Sequence, residues 1–289
     1  MTPQEFNAKR LFVDTQFGKI AYVRMGQGPA ALFIHGVPLN GYHWRKQLEN
    51  LSDIRDCIAI DVMGLGHSEV AADQDLTFPK QAEMVLAVLD ALGIETVDLV
   101  ANDSGGAIAQ LTAVAAPTRV RSMVLTNCDV HDNWPPAPFA QAVALAQTGE
   151  FAKILGESLT NLGLAQSDFG LGIGFENKEH ITAELTKTYL EPLVQNEVRQ
   201  EQVNRYVASM NCDQTVSIES QLKKLQTPTL VLWGTDDVFF TIDWAYWLKS
   251  TIPGATKVVE FEGARLFLSE ERAEEVNRHI RDHWAALSD

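Results

Sequence analysis

The sequence predicts an α/β protein built on a mostly parallel, doubly wound sheet of eight strands flanked by helices. Three observations lead there. Short β-prone runs, the internal ones apolar almost throughout, alternate with helix-sized segments, as expected of parallel strands covered on both faces. Polar, often glycine-bearing stretches follow four of those runs, where strand carboxyl ends would lie. The alternation breaks once, between about Val130 and Lys224, where helical patterns run without a convincing strand behind the proline-rich "NWPPAPF".

Taken in order, "LFVDTQ" and "KIAYVRM" flank a turn at Phe17-Gly18 and read as an antiparallel hairpin. The internal strands follow as "ALFIH" (31–35), "CIAID" (57–61), "VDLVAN" (97–102) and "SMVLTN" (122–127). Two more, "TLVLWG" (229–234) and "KVVEFE" (257–262), close the sheet. Helix-sized segments fall at 43–51, 78–92, 105–115, 241–251 and 270–286; in the second, Ala82, Val85, Leu86, Leu89 and Leu92 keep helical spacing. The expected division is a core at 1–130 and 225–289 with a helical cap at 131–224.

Composition narrows the function classes. With 38 acidic against 23 basic residues the chain carries a formal charge of −15, which argues against a nucleic-acid or anionic-membrane partner. Cys57, Cys128 and Cys212 are scattered and form neither a metal pattern nor a disulfide framework. No metal site and no nucleotide fingerprint is visible, so no cofactor is expected. The start "MTPQEFNAKR" lacks the plan of a signal peptide, and no run is long and apolar enough for a bilayer; the expectation is a cytoplasmic protein. The expected partner is a small-molecule substrate, with a homodimer left open as the assembly.

"HGVP" (35–38), "DVMGLGHS" (61–68), "ANDSGG" (101–106) and "WGTDD" (233–237) stand in register behind the third, fourth, fifth and seventh strands. With that order and spacing the chain resembles the α/β-hydrolase fold over nearly its whole length. The fold's strand-to-helix elbow runs small-x-nucleophile-x-Gly, and a nucleophile on so tight a turn needs small neighbours. Aligning the paired glycines 105 and 106 makes Asp103 the nucleophile, with Ala101 two residues before it. The other register makes Ser104 the nucleophile and places Asn102 in the small position, which Asn tolerates.

An aspartate at the elbow resembles the epoxide-hydrolase and haloalkane-dehalogenase branch. The resemblance implies that the carboxylate attacks an sp³ carbon and forms an ester, which water then hydrolyses. It implies an oxyanion site from the N–H groups of Val37 and Ser104, and cap tyrosines, here Tyr189 or Tyr206, as proton donors to an opening epoxide. "HGVPLNGYHWRKQ" looks most like epoxide hydrolases. The dehalogenase likeness is weaker, because Ser104 and Val37 stand where that family often carries a halide-binding Trp and Asn.

The acid that would orient a histidine fits Asp237. The histidine belongs in a stretch of the form G-A-G-H-F-L-x-E-E, and the chain reads "GARLFLSEER", so Leu266 stands in its place and Arg265 replaces a glycine. Leucine can neither take a proton nor orient water. The replacement base considered first is His131, just past the sixth strand; Asp129, beside it, occupies a place where some dehalogenases carry their acid. Arg265 could hold an anionic substrate group, tune Asp103 or bridge to Asp236 or Asp237. His35 reads as support for the oxyanion loop, His67 as a loop residue, and Trp44, Trp134, Trp244 and Trp247 as packing or pocket residues.

The reading is a hydrolase of a small, largely apolar substrate acting through Asp103, epoxide first and haloalkane next. The alternatives are a Ser104 carboxylesterase, a cofactor-free isomerase or lyase, and a ligand-binding protein on a retired hydrolase scaffold.

Overall fold

The structure, a computed structural model, describes residues 1–287. Eight strands form one sheet: β1 (Arg10–Thr15), β2 (Gly18–Met25), β3 (Ala30–Ile34), β4 (Asp56–Ile60), β5 (Val97–Asp103), β6 (Val120–Cys128), β7 (Thr229–Gly234) and β8 (Ala255–Phe261). Their order is β1-β2-β4-β3-β5-β6-β7-β8. The hairpin β1–β2 and the pair β2–β4 are antiparallel, and every other pair is parallel.

Burial explains the composition of each strand. Every residue of β3, β4, β5 and β7 is buried, so these strands carry apolar side chains on both faces. The last strand, β8, is an edge and exposes Thr256, Lys257 and Glu260. Helices Phe78–Ala91 and Ser104–Ala115 pack on each other, Ile242–Thr251 lies against β7 and β8, and Ala273–Ala286 meets Arg45–Leu51.

Strand order locates the site. From β3 the chain steps outward to β4, then returns past β3 to lay down β5 on its other side. The carboxyl ends of β3 and β5 therefore diverge at a topological switch point, where open α/β sheets place their ligands. Between β6 and β7 the described chain is helical throughout its regular elements, with Ala140–Gln147, Phe151–Thr160, Ala183–Val194 and Glu197–Ala208 the longest.

Two elements differ from the sequence expectation. Pro3–Ala8 is a helix, capped by a Thr2–Glu5 box with Pro3 at its start. The expected helix 270–286 is two helices, Leu268–Glu271 and Ala273–Ala286, because the first turn is held elsewhere. Buried Glu270 accepts from Arg45 Nη2 at 2.6 Å and from the Tyr189 hydroxyl at 2.6 Å, and the Lys46 ammonium donates to its carbonyl at 2.8 Å. Burial alone would raise the Glu270 pKa, but His43 and Arg45 outweigh it and keep the group ionised. This cluster ties the loop after β8 to the segment after β3 and to the helix Ala183–Val194.

Candidate active site

Asp103 ends β5 and caps the helix Ser104–Ala115 with φ 54° and ψ −135°. A side chain held at positive φ is strained, and here the surroundings hold it there. The strand register shifts between Asn102 and Asp103. Asn102 is fully buried, and its Nδ2 lies 3.2 Å from the Thr126 carbonyl and 2.9 Å from that of Leu266. Glycines let the backbone close in: a Cβ on Gly36 would collide with the Asp103 carboxyl, and one on Gly105 with the Ile34 and His35 carbonyls.

The N–H groups of Ser104 and Val37 face the Asp103 carboxyl. His35 keeps Val37's loop in place, with Nδ1 2.9 Å from the Gly36 carbonyl and Nε2 accepting from the Val62 N–H at 3.2 Å. Those partners fix a neutral tautomer, and burial lowers the His35 pKa. Burial pushes the Asp103 pKa up to about 8; the two N–H groups oppose the rise and the Asp237 charge adds to it.

Asp103 opens on a cavity of about 360 Å³. Its wall is mostly apolar and includes Val37, Leu266, Phe239 and Phe267 from the sheet side and Phe151, Leu155, Leu171 and Met210 from the helical segment. Polar side chains on the wall are Asp103, Asp129, Gln141, Glu157, Ser158 and Asp168; no Lys, Arg, His, Tyr or Trp lines it among the described residues.

Ser104 is fully buried, does not line the cavity, and its hydroxyl lies 3.0 Å from that of Tyr206. Its contribution to the site is its main-chain N–H. A fluorophosphonate that captures accessible serine nucleophiles is therefore expected to leave the protein's intact mass unchanged. A mass gain that Ser104→Ala abolishes would show that this hydroxyl reaches the cavity.

The structure separates several residues that the sequence grouped. His131 is not on the cavity wall. It turns at φ 50°, its Nε2 lies 3.1 Å from Glu219 and its Nδ1 3.2 Å from Asp132, and its ring packs on Trp247. That direction takes it away from Asp103 as a base. Arg265 is also off the wall: its guanidinium donates to the Ile173 carbonyl at 3.3 Å and has no ion-pair partner among the described residues. Neither cap tyrosine reaches the wall, since Tyr189 serves Glu270 and Tyr206 serves Ser104. The four tryptophans considered as pocket residues are not on it either. His67 belongs to a loop whose N–H bonds to Asp61 at 2.6 Å, while Gly41 N–H takes the other Asp61 oxygen at 2.7 Å.

The sequence pairs Asp237, as the acid, with Leu266, at the place expected for a histidine. Leu266 lies on the cavity wall and Asp237 does not. Burial raises the Asp237 pKa to about 7. It accepts from the Phe239 N–H at 2.8 Å and from Asn127 Nδ2 at 2.8 Å. Asn127 also grips Gly234 through its carbonyl and N–H.

Sequence reasoning gave Asp129 the lesser place, yet it lines the cavity. It follows β6, is 1% exposed, and its backbone N–H reaches the Asp103 carbonyl at 3.4 Å. Its Oδ1 has no hydrogen-bond partner. Burial raises its pKa well above the carboxylate range, and the charges of Asp103 and Asp237 add to the rise. An acidic residue at a strand's carboxyl end in this fold was the available signal. What the sequence lacked was the direction of the side chain.

A model of the alpha/beta hydrolase fold family matches residues 29–272. The chain belongs to the α/β-hydrolase fold family. As an enzyme of that fold it is similar to several named relatives. The cis-3-alkyl-4-alkyloxetan-2-one decarboxylase of Shewanella oneidensis is 25% identical, over 94% of this chain and 87% of that protein. Epoxide hydrolase 4 of Mus musculus is 25% identical over 93% of the chain and 76% of its own length. Haloalkane dehalogenase 2 of Mycobacterium tuberculosis is 26% identical over 98% of the chain and 97% of its own length. Across the α/β-hydrolase match, the elbow, the loop after β3 and the loop after β8 all converge on the one cavity.

Proposed function

We propose that the chain is a hydrolase of a small, neutral, largely apolar substrate, in which Asp103 attacks an sp³ carbon and an Asp103 ester is the intermediate. The carrying observation is that the elbow presents the Asp103 carboxyl to the cavity while the Ser104 hydroxyl is tied to Tyr206. A carboxylate there sits at a helix N-terminus with two N–H groups facing it, which favours its ionised, attacking form.

The wall selects the substrate class. It carries several carboxyl groups and no basic side chain, so an anionic substrate would be repelled. At about 360 Å³ the cavity lies toward the small end of ordinary ligand pockets, roughly 300–1,000 Å³. An epoxide is placed ahead of a haloalkane because no indole lines the wall among the described residues, and Ser104 and Val37 stand where a halide-binding Trp and Asn would. The helical segment 131–224 supplies much of the apolar wall and so acts as the cap that sets substrate shape.

A second reading is favoured by the absence of any imidazole, amine or phenol from the wall. Opening an oxetan-2-one needs no proton transfer. Asp103 would attack the ring carbon bonded to oxygen, breaking that C–O bond and releasing a free carboxylate two carbons away. Loss of CO2 then turns the C–C bond pair into the alkene, and the Asp103 ester oxygen leaves with its own pair. The similarity to a decarboxylase acting on such rings supports this reading.

The test is intact-protein mass with product analysis after incubation with 1,2-epoxyhexane, 1-iodobutane, a cis-3,4-dialkyloxetan-2-one and p-nitrophenyl butyrate. A mass gain mapping to Asp103 with the first two reagents, together with diol from the epoxide, is expected. Alkene and CO2 from the oxetanone alone would favour the second reading. Acylation by the butyrate with no reaction of the others would overturn both.

A further inference from the structure

With Leu266 at a histidine's place and the hydroxyls of both cap tyrosines off the wall and engaged by Glu270 and Ser104, the hydrolytic cycle still needs an acid to open a ring and a base to activate water. We propose that Asp129 is both: it protonates the ring oxygen as Asp103 attacks, then takes a proton from the water that hydrolyses the Asp103 ester. This rests on the reading of Asp103 as nucleophile.

The geometry is specific to Asp129. It is 1% exposed, it shares the cavity wall with Asp103, and its Oδ1 has no partner. Its backbone is pinned, with the N–H toward the Asp103 carbonyl at 3.4 Å and the carbonyl accepting from Gln110 Nε2 at 2.9 Å. The other polar groups on the wall belong to the helical segment, and two are already engaged. Ser158 donates to the Ile154 carbonyl at 3.0 Å, and Asp168 pairs with Lys178 at 2.6 Å.

The two carboxyls divide the roles through their surroundings. Asp103 has two N–H groups and a helix N-terminus to hold negative charge, whereas Asp129 has no donor on its free oxygen. Neighbouring buried carboxyls cannot both ionise cheaply, so one proton is shared and resides on Asp129.

Each step balances. An Asp103 oxygen pair forms the bond to the ring carbon, the ring C–O bond breaks, and its pair takes the Asp129 proton. The single negative charge has moved from Asp103 to Asp129. Asp129 then removes a proton from water while the oxygen adds to the Asp103 ester carbonyl. On collapse the substrate alkoxide leaves with that proton, and the proton remaining on the Asp103 acid returns to Asp129. The sum is epoxide plus water giving diol, with both side chains restored. The logic is that of a carboxyl which serves as acid and then as base.

The test separates the two steps by choice of leaving group. Iodide needs no proton, so 1-iodobutane should alkylate Asp103 in Asp129→Asn within about threefold of the wild-type rate, which also reports a folded site. Because iodide takes no proton, Asp129 keeps its own and must release it to solvent before it can act on water, so the butyl ester is followed after a shift to pH 9; there it should persist at least ~100-fold longer in the variant than in wild type, and ring opening of 1,2-epoxyhexane should fall by ~100-fold or more. The assignment is overturned if wild type holds the butyl ester as long as the variant does, or if the variant turns over the epoxide at the wild-type rate. If neither protein gains mass from either reagent, it is the Asp103 nucleophile that fails, and Asp129 loses its role with it.

Discussion

Asp103→Asn is expected to abolish both the covalent adduct and turnover, a loss of at least ~10³-fold, while making the fold more resistant to heat at alkaline pH. The two effects share one cause. The carboxyl is buried, and burial lifts its pKa from 3.8 to about 8. The folded state thus holds this proton more tightly than the unfolded chain does. Between roughly pH 4 and 8 the stability falls as pH rises, and the whole penalty is present above 8. Asparagine has nearly the same shape and no charge to bury, so the variant escapes it. The groups that face Asp103 shape the effect: the Asp237 charge adds to the rise, and the N–H groups of Ser104 and Val37 oppose it. The two proteins should melt together near pH 4 and diverge toward pH 9, the variant gaining about 5 °C, for an effect of a few kcal/mol at most. Adduct formation that survives the substitution would remove Asp103 as the nucleophile. Equal melting at pH 9 would mean that the carboxyl is not held in a costly environment.

The same site shows how far the sequence reaches. Strands β3, β5 and β7 are legible because parallel strands buried on both faces must be apolar, and the loops after them are legible because their glycines serve close backbone contacts. The reading of Leu266 at a histidine's place rests on the frame "GARLFLSEER" alone. Side-chain direction is not legible. Asp129 and His131 lie two residues apart after β6, yet one enters the cavity and the other swings out to Glu219 and Asp132 through a positive φ. Tyr189 and Tyr206 come from neighbouring helices, and their hydroxyls are claimed by Glu270 and Ser104, partners far away in sequence. The helix Pro3–Ala8 leaves no periodic signal although "TPQE" carries a capping box, because Phe6 is its one buried residue.

Leu266→His should shorten the lifetime of the Asp103 ester by ~100-fold or more if Asp237 is the acid of an acid–histidine pair, as the sequence places it. The backbone at this position is held by Asn102 Nδ2 on the Leu266 carbonyl at 2.9 Å, so a new side chain starts from a fixed point on the cavity wall. An imidazole is close to leucine in size and needs little repacking. Asp237 accepts from the Phe239 N–H and from Asn127, with the Phe240 N–H also turned to it, and a carboxylate's four lone-pair sites leave room for one more donor. An imidazolium beside it would pull its pKa down from about 7 and stabilise the charge that a base acquires when it takes a proton from water. The same positive charge near Asp103 would lower that pKa from about 8, so alkylation should begin at lower pH. The double variant is the sharper measurement. If the new imidazole takes over the activation of water, Asp129→Asn should lengthen the ester lifetime only a few-fold in the Leu266→His background, against ~100-fold alone. Full additivity would mean that the histidine does not reach the ester, and that Asp237 and Leu266 do not stand as acid and base position.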